Sequence, residues 1–469
     1  MTSKMQVNAE TLPTKQFFVS MLTRDISLSD AILDLVDNCL DGALRVAQGR
    51  DVDYSKHSIV LKCTNDSFII EDDCGGIPKE IAQNYAFKIG RESGDERDST
   101  TETIGMYGVG MKRAIFKMGR NAIVKTMYNK DSYFVPISSD WLDAKDWKPL
   151  PIVSIPTKES LKKPGTKIEV SKLYPGVSNH FTNGPFLDDL RSSLGEHFTL
   201  FIQRGLSITL NDKKIEPTIV ELLVSKNEAG PAPYMFQQEI EGVRVTILIG
   251  LNTGRNYDED NEPDFEMNRS SITAGWTVFC NDRAIIVGDK SRLTCWGDGI
   301  PMYHGQFSVI TGIVEFRSVS ASKLPITTTK RALDTTSDIW LQARTKMRDG
   351  LKIWIKHTNA WKNHPRSDQT ELWKSSVPLQ LESAIKSIMS RKTTEKRNGI
   401  IEYDPKKNGV LPSPHTKKPS SRRIIFSRPA EEIVEISKAL FDDPDEKPGT
   451  VGDECFRIVL EKVRENKDE

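Results

Sequence analysis

Between Leu28 and Leu44 an apolar helical pattern has a line of short polar side chains running through it, a combination that few folds can accommodate. Leu28, Ala31, Ile32, Leu35, Val36, Cys39, Ala43 and Ala47 recur at the spacing of one broad helix face. Ser27 and Ser29 suit its N-cap, and Asp30 suits the positive end of the helix dipole. On the other side Asp34, Asn38 and Asp41 fall within roughly 60° at about 100° per residue, with Asp37 beside them. A solvated surface face would ordinarily explain such a line. Here no Lys or Glu interrupts it before Arg45, and short side chains cannot snorkel. They suit a site where oxygen atoms are held close to a hard cation or a water.

Such a site needs domains around it, and 469 residues with 37% hydrophobic and 28% charged side chains supply roughly two or three. Sixty-five basic and 65 acidic residues cancel, so composition neither selects nor excludes nucleic acid. Six cysteines without C-x-x-C pairing predict reduced thiols in an intracellular protein and disfavour zinc. No signal-like apolar core opens the chain, and no run reaches the roughly 20 apolar residues of a membrane span. The expectation is a cytoplasmic protein, or a nuclear one in a eukaryote, with no membrane partner.

Residues 1–26 form a polar arm with an apolar clasp, Phe17-Phe18-Val19 and Met21-Leu22. After the helix, Ser58–Lys62 and Ser67–Glu71 pattern as two strands of a hairpin around Thr64-Asn65-Asp66. The second strand runs into Asp72-Asp73-Cys74-Gly75-Gly76-Ile77-Pro78, a carboxylate at a strand end followed by glycines that admit close backbone approach. A plain tight turn would look the same. Lys88–Thr103 is almost wholly polar and predicts a long loop. It ends in Ile104-Gly105-Met106-Tyr107-Gly108-Val109-Gly110-Met111-Lys112-Arg113-Ala114, where helical period resumes. Backbone amides converging at a helix N-terminus, with a lysine just inside, form an anion cradle. The spacing matches neither the Walker loop nor the dinucleotide fingerprint. Lys163-Pro164-Gly165-Thr166-Lys167-Ile168-Glu169-Val170 is a turn entering a strand.

In this order the four pieces resemble the GHKL superfamily of ATPases, which includes gyrase-type topoisomerases, MutL mismatch-repair proteins, MORC proteins and histidine kinases. Asp34–Ala43 resembles the N box, Asp72–Gly76 the D-x-G-x-G box, Gly105–Lys112 the glycine box and Gly165-Thr166 the last adenine box. The resemblance implies an α/β Bergerat fold over residues 27–198, an α+β sandwich of a mixed sheet with helices on one face. It implies ATP and Mg²⁺ as cofactors. Asp72 is expected to accept from the adenine amino group, supported by Thr166, with Gly76 and Ile77 beside the base. Guanine would set a carbonyl against that carboxylate, which selects ATP over GTP. Asn38 is expected to give Mg²⁺ a neutral oxygen, with Asp41 nearby. Gly105, Tyr107, Gly108, Val109, Gly110 and Met111, with the Lys112 ammonium, would hold the phosphates. Asp34 would orient or deprotonate the attacking water. Two departures stand out: hydrolytic members mostly carry Glu where this chain has Asp34, and Cys74 replaces the first glycine of its box. A shift of about 1 Å in a positioned base can cost on the order of 10²-fold in rate, so slow turnover is expected.

Residues 199–336 resemble the α/β transducer domain of MutL-, MORC- and gyrase-like proteins. Phe201–Pro217 patterns as a strand, an Asn211-Asp212 turn and a short strand; Val243–Gly250 and Thr277–Val287 pattern as further strands. The resemblance rests on Asn281-Asp282-Arg283 after a hydrophobic strand and on Leu324–Lys330 in a loop. In those families a loop lysine reaches the terminal phosphate, and Lys330 is the candidate. Residues 337–391 form a helical segment with Trp340, Ala343, Met347, Leu351, Trp354 and Ile355 as core. Residues 392–427 form a basic Pro/Ser-rich linker, with Lys406-Lys407, Lys417-Lys418 and Arg422-Arg423. Residues 428–469 form a short tail with helices at Glu431–Phe441 and Glu454–Glu465.

The function implied is a slow, Mg²⁺-dependent ATPase switch. ATP would order the 88–104 lid, dimerise two protomers through their arms, and relay closure through the C-terminal region to a protein partner or nucleic acid. The rival readings are a nucleotide-gated scaffold with little or no turnover, and a histidine-kinase-like protein kinase. A histidine kinase places its phosphoacceptor helix before the ATPase domain, whereas about 26 residues precede it here and none of the seven histidines lies among them. The further catalytic regions of topoisomerases and endonucleolytic MutL proteins are not discernible.

Overall fold

Strict alternation in the chain's first hairpin sets the core of the first domain. In the computed structural model, β1 (Ser58–Cys63) and β2 (Ser67–Asp72) pair antiparallel, Ile59 opposite Asp72 and Cys63 opposite Phe68. Ile59, Leu61, Phe68 and Ile70 thereby share one buried face. The structure describes residues 14–47, 52–88, 90, 101–105, 108–252, 273–327, 329–362, 373–413 and 427–465. Residues 1–13 of the arm, most of the 88–104 segment, Tyr107, Lys417-Lys418 and Arg422-Arg423 lie outside these. Two units divide at Pro414.

Strands β3 (Gly119–Tyr128), β4 (Asp131–Ile137), β5 (Val153–Ser154), β6 (Gly165–Leu173), β7 (Ser207–Leu210) and β8 (Lys213–Lys214) complete an eight-stranded sheet ordered β5-β4-β3-β6-β2-β1-β7-β8. Its β1–β7 pair is parallel and the other neighbours are antiparallel. Helices α1 (Lys15–Arg24), α2 (Leu28–Ala47) and α3 (Gly110–Met118) lie on this domain. The buried residues of α2 and α3, including Ile32, Leu35, Val36, Ala114 and Ile115, join the core of β1 and β2. Ser27 caps α2 by accepting from the Asp30 amide at 3.0 Å. Within the arm, residues 15–24 are helical, and Lys117 of α3 donates to the Thr23 carbonyl at 2.9 Å.

Phe201–Gln203, expected to open a strand, belongs instead to the helix Thr199–Gln203, which follows closely on the helix Gly184–His197. Its run Thr-Leu-Phe-Ile-Gln is buried nearly all round, so periodicity could not tell strand from helix. The Asn211-Asp212 turn forms as expected, with φ of 48° and 62°. The strands it joins, expected in the second domain, instead close the edge of the first sheet beside β1. Asn211 also accepts from the Cys63 amide at 2.8 Å and donates to the Cys63 carbonyl at 3.1 Å.

The second sheet has seven strands, β10 (Tyr234–Ile240), β11 (Val243–Leu251), β12 (Gly275–Cys280), β13 (Arg283–Asp289), β14 (Ile310–Arg317), β16 (Glu395–Arg397) and β17 (Ile400–Tyr403). Their order is β13-β12-β14-β11-β10-β17-β16, while β9 (Glu221–Ser225) pairs with β15 (Ser376–Gln380) alone. One face is covered by the helix Asp338–Trp361 through Trp340, Met347, Leu351 and Trp354. The other is covered by the helix Leu381–Met389 and by β9, through Leu381, Ala384, Ile388 and Leu222. Strands β11, β12 and β14 are therefore buried almost throughout.

Three expectations change in this half. Thr277–Val287 is a hairpin, not one strand, turning at Asn281 (φ 47°) and Asp282 (φ 69°). The helical segment 337–391 contains β15. The basic linker contributes β16 and β17, joined at Asn398-Gly399 (φ 50° and 75°), with β17 pairing onto β10. In the second unit the helix Ala430–Phe441 ends at Asp442 in the left-handed conformation. The other helix begins at Pro448, earlier than expected, and runs to Glu465.

Candidate functional site

The polar line of α2 and the end of β2 meet at the same edge of the first domain. Asp72 stands on the strand face that carries Phe68 and Ile70, so its carboxyl enters the core and is 9% exposed. It accepts from the Cys74 amide at 2.8 Å. Burial outweighs the Cys74 amide, the Cys39 thiol and the Thr166 amide, and pushes its pKa up to about 6. Beside it, Thr126 of β3 accepts from the Ile77 amide at 2.9 Å, donates to the Gly165 carbonyl at 3.0 Å, and lies 3.1 Å from the Thr166 hydroxyl. Glycines permit this closeness. A Cβ at Gly76 (φ 73°) would stand 2.0 Å from the Met127 carbonyl, and one at Gly165 only 1.9 Å from the Asp72 carbonyl.

At the other end charges dominate. Asp34, Asp37 and Asp41 are 2%, 0% and 1% exposed, whereas Asn38 on the same helix is exposed. Asp41 accepts from the Ile104 amide at 2.7 Å and the Gly105 amide at 2.8 Å, so a helix carboxylate fixes the start of the glycine turn. A Cβ at Gly105 would meet Asp41 Oδ2 at 2.6 Å. Burial raises the Asp41 pKa despite Arg45, Lys330 and the Ile104 amide.

Asp34 is ion-paired with Arg113 of α3, and Lys330 Nζ lies 3.5 Å away. Lys330 also donates to Asp37 Oδ2 at 2.9 Å, while Arg283 Nε donates to Asp37 Oδ1 at 2.7 Å. Burial works against both members of the Asp37–Lys330 pair. For Asp37, Arg283 and Lys330 outweigh it and the pKa falls; for Lys330, Asp37 and Asp34 outweigh it and the pKa rises. Both are ionised. His197 behind them lies between the Ala284 carbonyl and Arg331, which makes it a neutral imidazole donating through Nδ1. Burial, Arg283 and Arg331 lower its pKa to about 3.

The structure therefore brings Asp72, Gly76, Ile77 and Thr166 together at one end, and Asp34, Asp41, Gly105, Gly110 and Lys330 at the other. Val109 caps α3 through its carbonyl, which accepts from the Arg113 amide at 2.9 Å, and Met111 packs on the core. Gly108 adopts φ 65°. Lys112 is buried and donates to the carbonyls of Ala86, at 2.9 Å, and Gly108. Sequence reasoning assigned no role to Asp37, Arg113, Arg283 or Thr126. Asp37 was visible on the polar line, Arg113 beside Lys112 and Arg283 in the Asn-x-Arg motif; Thr126 carried no signal.

The donor set fits a nucleotide with its metal: the glycines let the backbone close tightly around Asp72 and Asp41, Asn38 presents a neutral oxygen, and cations stand near the glycine turn. Residues 26–166 match the family model of the histidine kinase-, DNA gyrase B- and HSP90-like ATPases. Over that segment the chain is similar to a GHKL-type ATPase domain. This match spans α2, the first hairpin and the glycine turn and ends at Thr166, short of Arg283 and Lys330. No curated protein matches the chain. Among the described residues no helix is long and apolar enough to cross a membrane.

Proposed function

We propose that this protein is a Mg²⁺-dependent ATPase switch of the MORC/MutL-like branch, in which ATP is held by the first domain and sensed by the second. The observation that carries this reading is Lys330, whose ammonium reaches across to Asp37 at 2.9 Å and Asp34 at 3.5 Å. Asp72 and Thr166 hold the adenine. Gly105, Gly108, Val109, Gly110, Met111 and Lys112 hold the phosphates, Asn38 offers the metal a neutral oxygen, and Asp41 fixes the start of the glycine turn. Bound Mg²⁺ offsets phosphate charge. Asp34 orients the attacking water and takes its proton. Phosphate charge competes with Asp37 and Asp34 for Lys330, so occupancy changes how the second domain is held. Dimerisation on ATP, with relay to a protein partner or nucleic acid, follows as the output.

A second reading is favoured by one observation: Arg113 already occupies the Asp34 carboxylate. A base engaged in this way suits a nucleotide-gated scaffold with little or no turnover. Phosphate release from ATP by wild type and Asp34→Ala, with binding measured separately, decides between the two. The ATPase reading expects both to bind and the variant to lose at least about 10²-fold in turnover. Binding by both with turnover by neither supports the scaffold. Equal turnover removes Asp34 from the chemistry.

A further inference from the structure

Three consecutive residues at one hairpin turn of the second sheet contact three different parts of the nucleotide-binding half. Asn281 donates to the Thr103 carbonyl at 2.9 Å and to the Ser318 carbonyl at 2.9 Å, and accepts from the Ser318 amide at 3.0 Å. Asp282 takes Arg204, which follows the helix Thr199–Gln203, in a two-pronged pair at 2.7 and 3.0 Å, and also pairs with Arg317. Arg283 donates to Asp37 on α2 at 2.7 Å. Arg317 in turn reaches Glu102 at 3.3 Å, and Arg244 lies 3.8 Å from the same carboxylate. Asn281 is 2% exposed, so its amide is committed to these carbonyls and not to water.

We infer that Asn281 is a positioning residue for the phosphate end of the site, an inference that rests on the ATPase reading. The backbone at 103–105 is held from two sides. Asp41 takes the Ile104 and Gly105 amides from the first domain, and Asn281 takes the Thr103 carbonyl from the second. Gly105 is the first glycine of the Gly105–Lys112 box, so the position of the 103–105 backbone depends on the second sheet even though no residue of that sheet belongs to the box. Because Arg283 follows in the same turn, any displacement of the second domain moves α2 and the glycine turn together.

The turn needs left-handed backbone at Asn281, so Asn281→Gly removes the amide without straining the fold. Asn281→Asp keeps the acceptor for the Ser318 amide but sets a carboxylate oxygen against two carbonyls. The test is hydrogen exchange at residues 101–105 of the full chain, together with ATP KM and kcat. Both variants are expected to raise exchange at Ile104 and Gly105 about tenfold, as for one buried hydrogen bond lost. They are also expected to raise the ATP KM about tenfold while kcat stays within about threefold, because Asp34 and Lys330 are untouched. Unchanged exchange at 104–105, or equal loss in kcat with unchanged KM, overturns the assignment. If wild type binds no ATP, the ATPase reading fails, and the exchange result alone still decides whether Asn281 holds this backbone.

Discussion

The two ends of the candidate site bury carboxylates in opposite ways. At the Asp72 end the neighbours are amides, a thiol and the threonine pair, and the carboxyl is left near pKa 6. At the Asp37 end two cations close on one carboxylate, and burial fails to lift its pKa. Burial alone therefore does not decide whether a carboxyl is charged; its neighbours do. The first environment can read a hydrogen-bond pattern, and the second can answer to charge. The charged end is also where the two domains are tied, so errors there reach the whole fold, whereas errors at Asp72 stay local.

The sharpest way to break this contrast is Arg283→Ala. It strips one cation from a fully buried Asp37 and is expected to lower unfolding free energy by about 3–5 kcal/mol, read by urea denaturation. A loss below about 1 kcal/mol would mean that Lys330 alone suffices. Next in size is Asp72→Asn, which keeps the shape but replaces an acceptor with a donor. ATP affinity is expected to fall about 10- to 100-fold with little change in stability. In the wild type, ATP affinity should also weaken as pH falls through about 6 and Asp72 takes a proton, and this dependence should vanish in the variant. Isothermal titration across pH 5–8 checks both.

The smallest effect concerns acid stability. Burial lowers His197 to about 3, with Arg283 and Arg331 adding to it, and lowers His357 to about 4. An unfolded histidine titrates near 6.5, so below that pH the unfolded chain takes up protons that the native chain does not, and stability falls. Each histidine contributes a slope of about 1.4 kcal/mol per pH unit near pH 5. Asp72 and Asp41, raised in the fold, act in the opposite direction. His357 sits among Trp354, Trp361 and Trp373, so His357→Phe should keep the packing and flatten the pH dependence of the urea midpoint.

Much of the first domain was legible because its elements are half-buried and therefore periodic. The helix of Leu28, the hairpin of Ser58 and Ser67, and the Asn211-Asp212 turn all announced themselves. Asn281-Asp282 is the same dipeptide in the same left-handed conformation, yet it was submerged in an apolar run. The strand before it, β12, and the first residues of β13 are buried on both faces, and alternation disappears there. The edge strand Glu395–Arg397 failed for the converse reason. An exposed edge is rich in charge, which mimics a linker, although Asn398-Gly399 was a hairpin signal in plain sight. Partners such as Arg283 and Asp37, 246 residues apart, leave no local trace in either segment.

The parallel seam between β1 and β7 sets the order in which the chain can mature. Asn211, which finishes that seam by pairing with Cys63, lies 148 residues downstream of it. At 5–20 residues per second a ribosome takes roughly 7–30 s to deliver it, and for that interval the edge of β1 has no neighbour. Loop closure over such a span is also slow once the residues exist. A fragment cut at residue 198, after the recognised family segment, would keep that edge open permanently and invite edge-to-edge aggregation. The smallest piece worth expressing therefore runs past Lys214.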